Sequence, residues 1–387
     1  MKKIDNKYYQ IIEHQAFSKE IGKNYFKELE NFAQNNPLLL SYSKKGELKA
    51  NQYVGIIQTK SGFVLEILPK IAKNNDYEKS KKVFLKMLKT LQNSSFKLSN
   101  EASLKSQKYP LLEIFIEMFL DELAILIKKG IKSNYLLKNK NQNFLKGKLK
   151  INDHIKKNIS HKERFFVEYD EYLPNITENK LIKTTLKKLF KVSKNFKNQK
   201  RIREFLFVFN EIDEVFNPKV LFSKLIKNRN MNYYEKVLNL SKIFLLNESL
   251  IPYKGSNEVF AILFDMNRLF EDYVGNWFKK RYKNVKLQDK QYRLFENKKR
   301  FSLIPDIVID NKVILDTKWK IINNENDISQ SDLYQMFAYA SKYQKVKRIY
   351  LIYPLIEDNP KFNYKMKICD KNKIIKVVYF DLTKDIK

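Results

Sequence analysis

The feature that most constrains the fold is a pair of apolar, β-branched runs that flank Asp310-Asn311-Lys312. Aspartate and asparagine favour tight reversals of the chain, so the stretch is predicted to form a β-hairpin. If the loop has three residues, Ile309 pairs with Val313, and counting outward places Asp306 directly opposite Asp316. Each arm of the predicted hairpin therefore carries one carboxylate in an otherwise apolar strand.

The predicted register brings two acids and one base together. Directly opposed side chains on one face of a sheet have Cβ atoms about 5 Å apart, and two carboxylates that close in apolar surroundings need a shared cation or a retained proton. Lys318 lies two residues after Asp316 and points to the same face. A divalent ion between Asp306 and Asp316, beside a lysine ammonium, can support phosphodiester hydrolysis, and hard oxygen ligands suit Mg²⁺ or Mn²⁺. The alternative is a plain hairpin whose carboxylates lie at its rim, each paired with a nearby lysine.

Several segments carry a resemblance to a known family. Pro305-Asp306 followed by Asp316-Thr317-Lys318 resembles the signature of PD-(D/E)XK nucleases. Phe264–Val274 resembles the helix that opens the nuclease domain of McrC, the nuclease subunit of McrBC-type restriction systems. Asp332–Ala340 resembles the helix that follows the hairpin in that domain, and Leu68-Pro69-Lys70 resembles the end of an N-terminal hairpin of McrC proteins.

The resemblance implies further site residues. In many PD-(D/E)XK domains an acidic residue on the first helix reaches the metal site, which makes Glu271 the expected third carboxylate; a salt bridge to Arg268 or a lysine is the alternative. Gln335 is expected to line the nuclease pocket and to hold a phosphate or a water, and a surface glutamine is the alternative. The expected catalytic residues are Asp306, Asp316, Lys318, Glu271 and Gln335, and the expected metal ligands are Asp306, Asp316 and Glu271.

The chain divides into three predicted regions, and the fold class is α+β and multidomain. Residues 1–78 contain a helix and several strand-like runs, which predict a β-rich N-terminal unit. Residues 79–250 are predicted to be a mainly helical connecting region. Residues 251–387 have the order helix, strands, hairpin, helix and strand, which matches the αβββαβ core of a PD-(D/E)XK endonuclease domain. In the McrC family the N-terminal part engages the AAA+ partner, so the resemblance implies partner contact for residues 1–78.

The charge and the N-terminus limit the classes of partner and compartment. A net charge of +32 favours a polyanion such as nucleic acid. Basic residues recur every three or four positions from Lys183 to Arg203, a spacing that can track phosphates; a solvated helix face is the alternative. The N-terminus has no apolar signal region, and acidic residues interrupt the apolar stretch Leu111–Ile127, so we expect a cytoplasmic protein without a membrane span.

These observations lead to an expected function with two open alternatives. By resemblance, the chain is a Mg²⁺-dependent DNA endonuclease subunit of a McrBC-like restriction complex, with Mn²⁺ as a possible substitute. The resemblance also implies a GTP-hydrolysing AAA+ partner of the McrB kind, whose GTPase the subunit stimulates. The chain lacks a G-x-x-x-x-G-K-[ST] loop, so GTP is expected to act only through that partner. The alternatives are a stand-alone PD-(D/E)XK nuclease of DNA repair or recombination, and a nuclease-inactive protein that binds DNA or activates a partner.

Overall fold

The computed structural model describes residues 1–71, 76–90, 110–225, 229–246, 259–295, 300–355, 363–368 and 371–383. The chain forms two compact units. Unit 1 comprises Met1–Leu111 together with Glu248–Lys387, and unit 2 comprises Leu112–Asn247. Residues 1–78 and 251–387 are predicted from the sequence as separate regions, whereas the structure groups them in a single unit that a middle segment interrupts.

Helices and strands follow one another along the chain in three stretches. The first consists of β1 (Lys2–Asp5), β2 (Tyr8–Ile12), β3 (Ala16–Phe17), α1 (Lys23–Asn35), β4 (Leu40–Lys44), β5 (Glu47–Ala50), β6 (Tyr53–Gln58), β7 (Val64–Leu68) and α2 (Tyr77–Thr90). The second consists of α3 (Leu111–Lys129), β8 (Asn134–Gln142), β9 (Lys148–Leu149), α4 (Ile151–Lys157), β10 (Phe165–Leu173), α5 (Thr177–Val192), α6 (Phe196–Val208), α7 (Pro218–Lys224) and α8 (Glu235–Leu246). The third consists of β11 (Phe260–Asp265), α9 (Met266–Arg281), β12 (Val285–Leu287), β13 (Tyr292–Arg293), β14 (Ser302–Leu303), β15 (Ile307–Ile309), β16 (Val313–Thr317), α10 (Gln330–Lys342), β17 (Arg348–Pro354), β18 (Asn363–Ile368) and β19 (Lys371–Phe380).

The N-terminal sheet of unit 1 has the strand order β1-β2-β7-β6-β11. Strands β2 and β7 are parallel, and β6 is antiparallel to both β7 and β11. The edge strand β11 comes from the third stretch of the chain, yet it completes the sheet of the first. Its pairing with β6 runs from Phe260 opposite Gln58 to Asp265 opposite Tyr53. This shared sheet explains why the two ends of the chain form one unit.

The expected helix from Phe264 is wrong at its first residues. Phe260–Asp265 is a strand, and α9 starts at Met266, where the Asp265 side chain caps the helix by accepting a hydrogen bond from Asn267 N at 2.9 Å. A short unbroken apolar run cannot be assigned to a buried strand or a buried helix from its period. Pairing with β6 decides in favour of a strand here.

The second sheet of unit 1 has the order β12-β15-β16-β17-β19-β18. Strands β12, β15 and β16 are antiparallel neighbours, whereas β16, β17 and β19 run parallel. Along the chain, α9, β12, β15, β16, α10 and β17 therefore follow the order helix, three strands, helix, strand, with the small pair β13–β14 inserted. The core between α10 and one face of the sheet is formed by Val308, Ile314, Ile322, Ile328, Met336, Tyr339, Ala340, Tyr343, Val346, Ile349, Leu351, Tyr353, Ile375 and Val377.

Unit 2 contains helices α3–α8 and a three-stranded sheet in the order β8-β10-β9. The buried Glu113 on α3 accepts hydrogen bonds from Ser193 Oγ at 2.7 Å, Lys194 N at 2.6 Å and Asn198 Nδ2 at 2.9 Å. One carboxylate thereby ties α3 to the turn between α5 and α6. Within the described ranges, none of the helices combines the length and apolar character that crossing a membrane requires.

The basic stripe of α5 and α6 is largely engaged within unit 2. Lys187 pairs with Glu214 at 3.2 Å, and Arg201 pairs with Asp121 at 2.8 Å. Lys183 donates hydrogen bonds to the carbonyl oxygens of Asn210 and Ile212. These contacts favour the alternative in which the stripe is a structural, solvated surface.

The tight contact between β6 and β11 generates a prediction about stability. Gly55 has φ +140°, and a Cβ there would lie 2.0 Å from the Ile262 carbonyl oxygen of β11. Gly46 also has a positive φ of +81°, but no atom lies within 4 Å of the position its Cβ would take. We expect Gly46→Ala to cost about 1–2 kcal/mol of backbone strain and Gly55→Ala to cost clearly more, because it also forces β11 away from β6.

Thermal unfolding of the two variants checks this expectation. The Tm of Gly55→Ala should fall well below that of Gly46→Ala. Equal Tm values would mean that the β6–β11 contact contributes little to the stability of unit 1.

Candidate active site

The β15–β16 hairpin has the register predicted from the sequence. Ile309 pairs with Val313, and the pairing continues to Ile307 opposite Leu315. Asp310 and Asn311 adopt positive φ values of 50° and 54°, a conformation that aspartate and asparagine tolerate better than most residues. The loop chemistry therefore sets the register, and Asp306, immediately before β15, lies in line with Asp316 across the pair.

Asp316 and Lys318 form the centre of the site. The Asp316 side chain is fully buried, and Lys318 Nζ lies 2.7 Å from its Oδ2 atom. Asp316 Oδ1 accepts no hydrogen bond from any described residue. Burial and the neighbouring Asp306 raise the pKa of Asp316 to about 7, against the opposing effect of Lys318. A buried carboxylate with an unused oxygen is a polar group that still lacks part of its coordination.

Asp306 is held by the strand that carries Asp316. Its Oδ2 atom accepts hydrogen bonds from Thr317 N at 2.7 Å and from Thr317 Oγ1 at 2.8 Å. Burial raises the pKa of Asp306, and the two bonds from Thr317 together with Lys318 oppose that shift. The threonine of the Asp-Thr-Lys segment therefore orients the other acid of the pair.

Glu271 on α9 faces the same cluster of acids. Burial, followed by Asp306, raises its pKa to about 7, and a hydrogen bond from Gln288 Nε2 to Glu271 Oε1 opposes this shift. Arg268 instead acts on the adjacent Asp272. Burial raises the pKa of Asp272, and the charge of Arg268 opposes that shift. Glu271 therefore lies close enough to Asp306 for the charge of Asp306 to raise its pKa.

Gln335, on α10, holds the side chain of Lys318. Its Oε1 atom accepts a hydrogen bond from Lys318 Nζ at 3.0 Å, and its Nε2 atom donates to Tyr339 OH at 2.6 Å. Tyr339 OH donates in turn to the Ile304 carbonyl oxygen at 2.9 Å, just upstream of Asp306. This chain of hydrogen bonds fixes the Lys318 ammonium between the acid pair and α10.

The charge balance around Lys318 favours its protonated form. Burial opposes the charge, but the carboxylates of Asp316 and Asp306 outweigh it and raise the pKa of Lys318 above the ordinary value. The site therefore combines three acids of raised pKa with one persistent cation. Such perturbed groups cluster at functional sites, where charge is arranged for chemistry rather than for stability.

The three carboxylates are the kind of ligand that a hard divalent cation prefers, but each of them already bonds to another side chain of the protein. Across the described ranges, no three or more His, Cys, Asp or Glu side chains are grouped so that they could hold a metal ion. Asp306 is bonded to Thr317, Asp316 to Lys318 and Glu271 to Gln288. The unused Oδ1 atom of Asp316 is the observation that fits a cation best, since oxygen donors of this kind are the ligands that Mg²⁺ takes.

Two residues contribute to the site beyond those predicted from the sequence. Thr317 enters the prediction only as the middle residue of a signature, and Gln288 does not enter it. Gln288 has a positive φ of 51°, its backbone N–H donates to the Asp306 carbonyl oxygen at 2.9 Å, and its side chain donates to Glu271. A positive φ at a residue other than glycine costs energy and is often found at functional sites. No motif or period marks it in the sequence, since its partners Asp306 and Glu271 lie 17 or 18 positions away.

Known proteins resemble the chain in sequence and in fold. The family model described as "McrBC 5-methylcytosine restriction system component" matches residues 48–354. A chain of the refined half-complex from a tetradecameric assembly of Thermococcus gammatolerans McrB AAA+ hexamers with bound McrC aligns with a TM-score of 0.69 and 19% identity, over 97% of this chain and 94% of that one. A chain of the cryo-EM structure of the Thermococcus gammatolerans McrBC complex aligns with a TM-score of 0.52 and 18% identity, over 72% of this chain and 89% of that one. No curated protein matches the chain.

The raised pKa of Asp316 generates a prediction about pH and stability. The pKa is about 7 in the folded state and near 3.8 in the unfolded state, so the unfolded state releases its proton first as the pH rises. The stability that the protonated group contributes is therefore complete below pH 3.8 and is lost as the pH rises to about 7. The asparagine of Asp316→Asn does not ionise, so this variant does not lose stability as the pH rises. The Tm of the variant minus that of wild type should therefore grow over this range and reach about 2 °C or more at pH 8.

Thermal unfolding in EDTA between pH 4 and 8 measures this difference. Asp310→Asn, at the exposed tip of the same hairpin, is the control and should follow the wild-type curve. A Tm difference between Asp316→Asn and wild type that does not change with pH would contradict the raised pKa of Asp316.

Proposed function

The chain belongs to the McrBC family of restriction-system components, and from this premise we propose that it is the McrC-type subunit, a Mg²⁺-dependent DNA endonuclease with a PD-(D/E)XK nuclease domain. The observation that carries the proposal is the meeting of Asp306, Asp316 and Lys318 at one site, where Asp316 is fully buried and the other two are partly buried. The helix, three-strand, helix, strand order around that site supports the assignment of the nuclease class. The overall charge of +32 supports DNA as the substrate.

The proposed metal ligands are Asp306, Asp316 and Glu271. The unused oxygen of Asp316 and the high pKa values of the three acids favour a bound cation, which would lower the cost of ionising all three together. When bound there, Mg²⁺ or Mn²⁺ supplies Lewis-acid polarisation of the scissile phosphate. Thr317 bonds to Asp306 and Gln288 bonds to Glu271, so these two residues would set the orientation of two of the three proposed ligands.

Lys318 and Gln335 are proposed to act on the phosphate and on the attacking water. The Lys318 ammonium, held protonated by its neighbours, stabilises negative charge that develops on the phosphoryl oxygens during cleavage. Gln335 holds the ammonium in place through its 3.0 Å hydrogen bond. The second N–H of its Nε2 atom, beyond the one donated to Tyr339, is proposed to hold a phosphate oxygen or a water.

The proposed partner is an AAA+ GTPase of the McrB kind. The solved assembly that aligns over 97% of this chain is described as McrB AAA+ hexamers with bound McrC. By analogy, we propose that this chain docks on such a partner, stimulates its GTPase and cuts DNA in the docked state. The family description names 5-methylcytosine, so DNA with and without that base is the natural pair of substrates for testing.

The site assignment predicts the effect of single substitutions on cleavage. Asp306→Ala, Asp316→Ala and Lys318→Ala should each reduce cleavage by about 100-fold or more, because each removes a group that stabilises the transition state. The three variants should still assemble with the partner, since none of the residues lies on the N-terminal sheet. Cleavage of 5-methylcytosine-containing DNA with partner, GTP and Mg²⁺ measures the first effect, and size-exclusion chromatography measures the second.

Two neighbours on α9 provide the matched control. Glu271→Gln should reduce cleavage and raise the Mg²⁺ concentration needed, whereas Asp272→Asn should leave both close to wild type. Full activity of all three alanine variants would exclude this site.

The proposed division of labour predicts a dependence on the partner. Purified chain with Mg²⁺ should leave methylated DNA intact, and addition of the partner with GTP should start cleavage, since docking and translocation are supplied by the partner. Gel analysis of the DNA in parallel with phosphate release from GTP measures both activities. Efficient cutting by the chain alone would favour the stand-alone nuclease, and stimulated GTPase without any cutting would favour the inactive, partner-activating protein.

A further inference from the structure

A buried acid near the N-terminus makes a contact that the proposed function does not use. Glu13 directly follows β2 and is only 2% exposed. Its Oε1 atom accepts a hydrogen bond from Trp319 Nε1 at 2.7 Å, across 306 positions of sequence. Trp319 is the residue immediately after Lys318. The first strands of the chain therefore touch the end of the strand that carries the proposed site.

The N-terminal sheet fixes Glu13 from two sides. Its backbone N–H donates to the Leu68 carbonyl oxygen at 2.8 Å, and the same Oε1 atom accepts a second hydrogen bond from Lys70 N at 2.8 Å. Leu68-Pro69-Lys70 is the segment that resembles the end of the McrC hairpin. In the structure it completes the anchor of Glu13, so the carboxylate is held rigidly before it reaches Trp319.

Trp319 adjoins two residues of the proposed site, one along the chain and one through a ring contact. Along the chain it adjoins Lys318, whose backbone N–H donates to the Ile352 carbonyl oxygen at 2.9 Å. Across space its ring packs against Phe270 with a centroid distance of 5.3 Å, and Phe270 precedes Glu271 on α9. The indole is 9% exposed. A displacement of this ring is therefore expected to move Lys318 and Glu271.

A carboxylate at the buried position of Glu13 lowers the stability of the fold unless it is compensated. Burial raises the pKa of Glu13 to about 7, while the hydrogen bonds from Lys70 and Trp319 oppose the shift. The Oε2 atom accepts no hydrogen bond from a described residue. An apolar side chain would avoid both costs, so the acid is explained better by the two donors that it joins than by packing.

We propose that Glu13 is a positioning residue of the nuclease site, which acts through Trp319 on the placement of Lys318 and Glu271. This inference rests on the proposed function. It assigns to the N-terminal sheet a part in cleavage itself, beyond contact with a partner. Small displacements of catalytic groups by distant contacts can cost orders of magnitude in rate.

Four variants in the assembled complex test the proposal. Trp319→Phe removes the indole donor and keeps a ring against Phe270, and Glu13→Ala removes the acceptor. Both should lower kcat by about tenfold or more while the KM for DNA stays within about twofold, because DNA binding is not touched. Glu13→Gln keeps an acceptor oxygen and should remain within about threefold of wild-type kcat. The matched control is Glu28→Gln, which loses a carboxylate bonded to Ser61 in the turn between β6 and β7 but not bonded to Trp319.

Tryptophan fluorescence provides a readout that does not depend on activity. The chain has two tryptophans, so a Trp277→Phe background leaves Trp319 as the single tryptophan, which is excited selectively at wavelengths where tyrosine does not absorb. In that background Glu13→Ala should change the emission maximum or intensity, whereas Glu28→Gln should not. If wild type fails to cut DNA with partner, GTP and Mg²⁺, the proposed function fails, and the emission change still reports whether Glu13 holds Trp319.

The kinetic result decides between a positioning role and a merely structural one. Wild-type kcat in folded Trp319→Phe and Glu13→Ala would overturn the proposal. It would also be overturned if kcat fell only in step with Tm and Glu13→Gln were as impaired as Glu13→Ala. Should Glu13→Ala fail to fold, Trp319→Phe carries the test alone, since the aromatic ring preserves the packing.

Discussion

The burial of two acids at the β15–β16 hairpin is the constraint on which the rest of the site depends. Asp306, just before β15, lies in line with Asp316 of β16, in surroundings that penalise the ionised forms of both acids. The protein compensates locally, with Thr317 bonded to one acid and Lys318 paired with the other. Compensation is incomplete at Asp316 Oδ1, and that deficit is the strongest structural argument that the pair exists for chemistry.

The hairpin is predictable from the sequence because its determinants are local. The Asp-Asn loop, the β-branched arms and the period of two are together sufficient to define the register, and the strands pair in that register. The meeting of Glu271 and Gln335 with the acid pair is expected only through resemblance, since α9 and α10 are remote in sequence from the hairpin. Their roles in catalysis stay predictions, which the bond between Gln335 and Lys318 and the effect of Asp306 on the pKa of Glu271 support.

The features that sequence reasoning misses are set by contacts between distant segments. An unbroken apolar run at Phe260–Phe264 fits a helix or a strand, and only pairing with β6 selects the strand. Gln288 has a positive φ where its backbone bonds to Asp306, and the bond from Trp319 to Glu13 joins residues 306 positions apart. None of these has a period or a motif, so a single sequence carries no sign of them.

Unit 1 is built from two segments that unit 2 separates in sequence, so the chain must close a long loop to form it. Its N-terminal sheet needs β11, and its site strand is bonded to Glu13, yet unit 2 lies between these segments in sequence. Loop-closure entropy grows slowly with length, by roughly 0.6 kcal/mol for each doubling, so an inserted unit of this size adds little to the cost of joining the ends. The cost falls on the rate of folding instead, because contacts between remote segments form late. Because Trp319 is bonded to Glu13, we expect the proposed nuclease site to depend on the integrity of the N-terminal sheet.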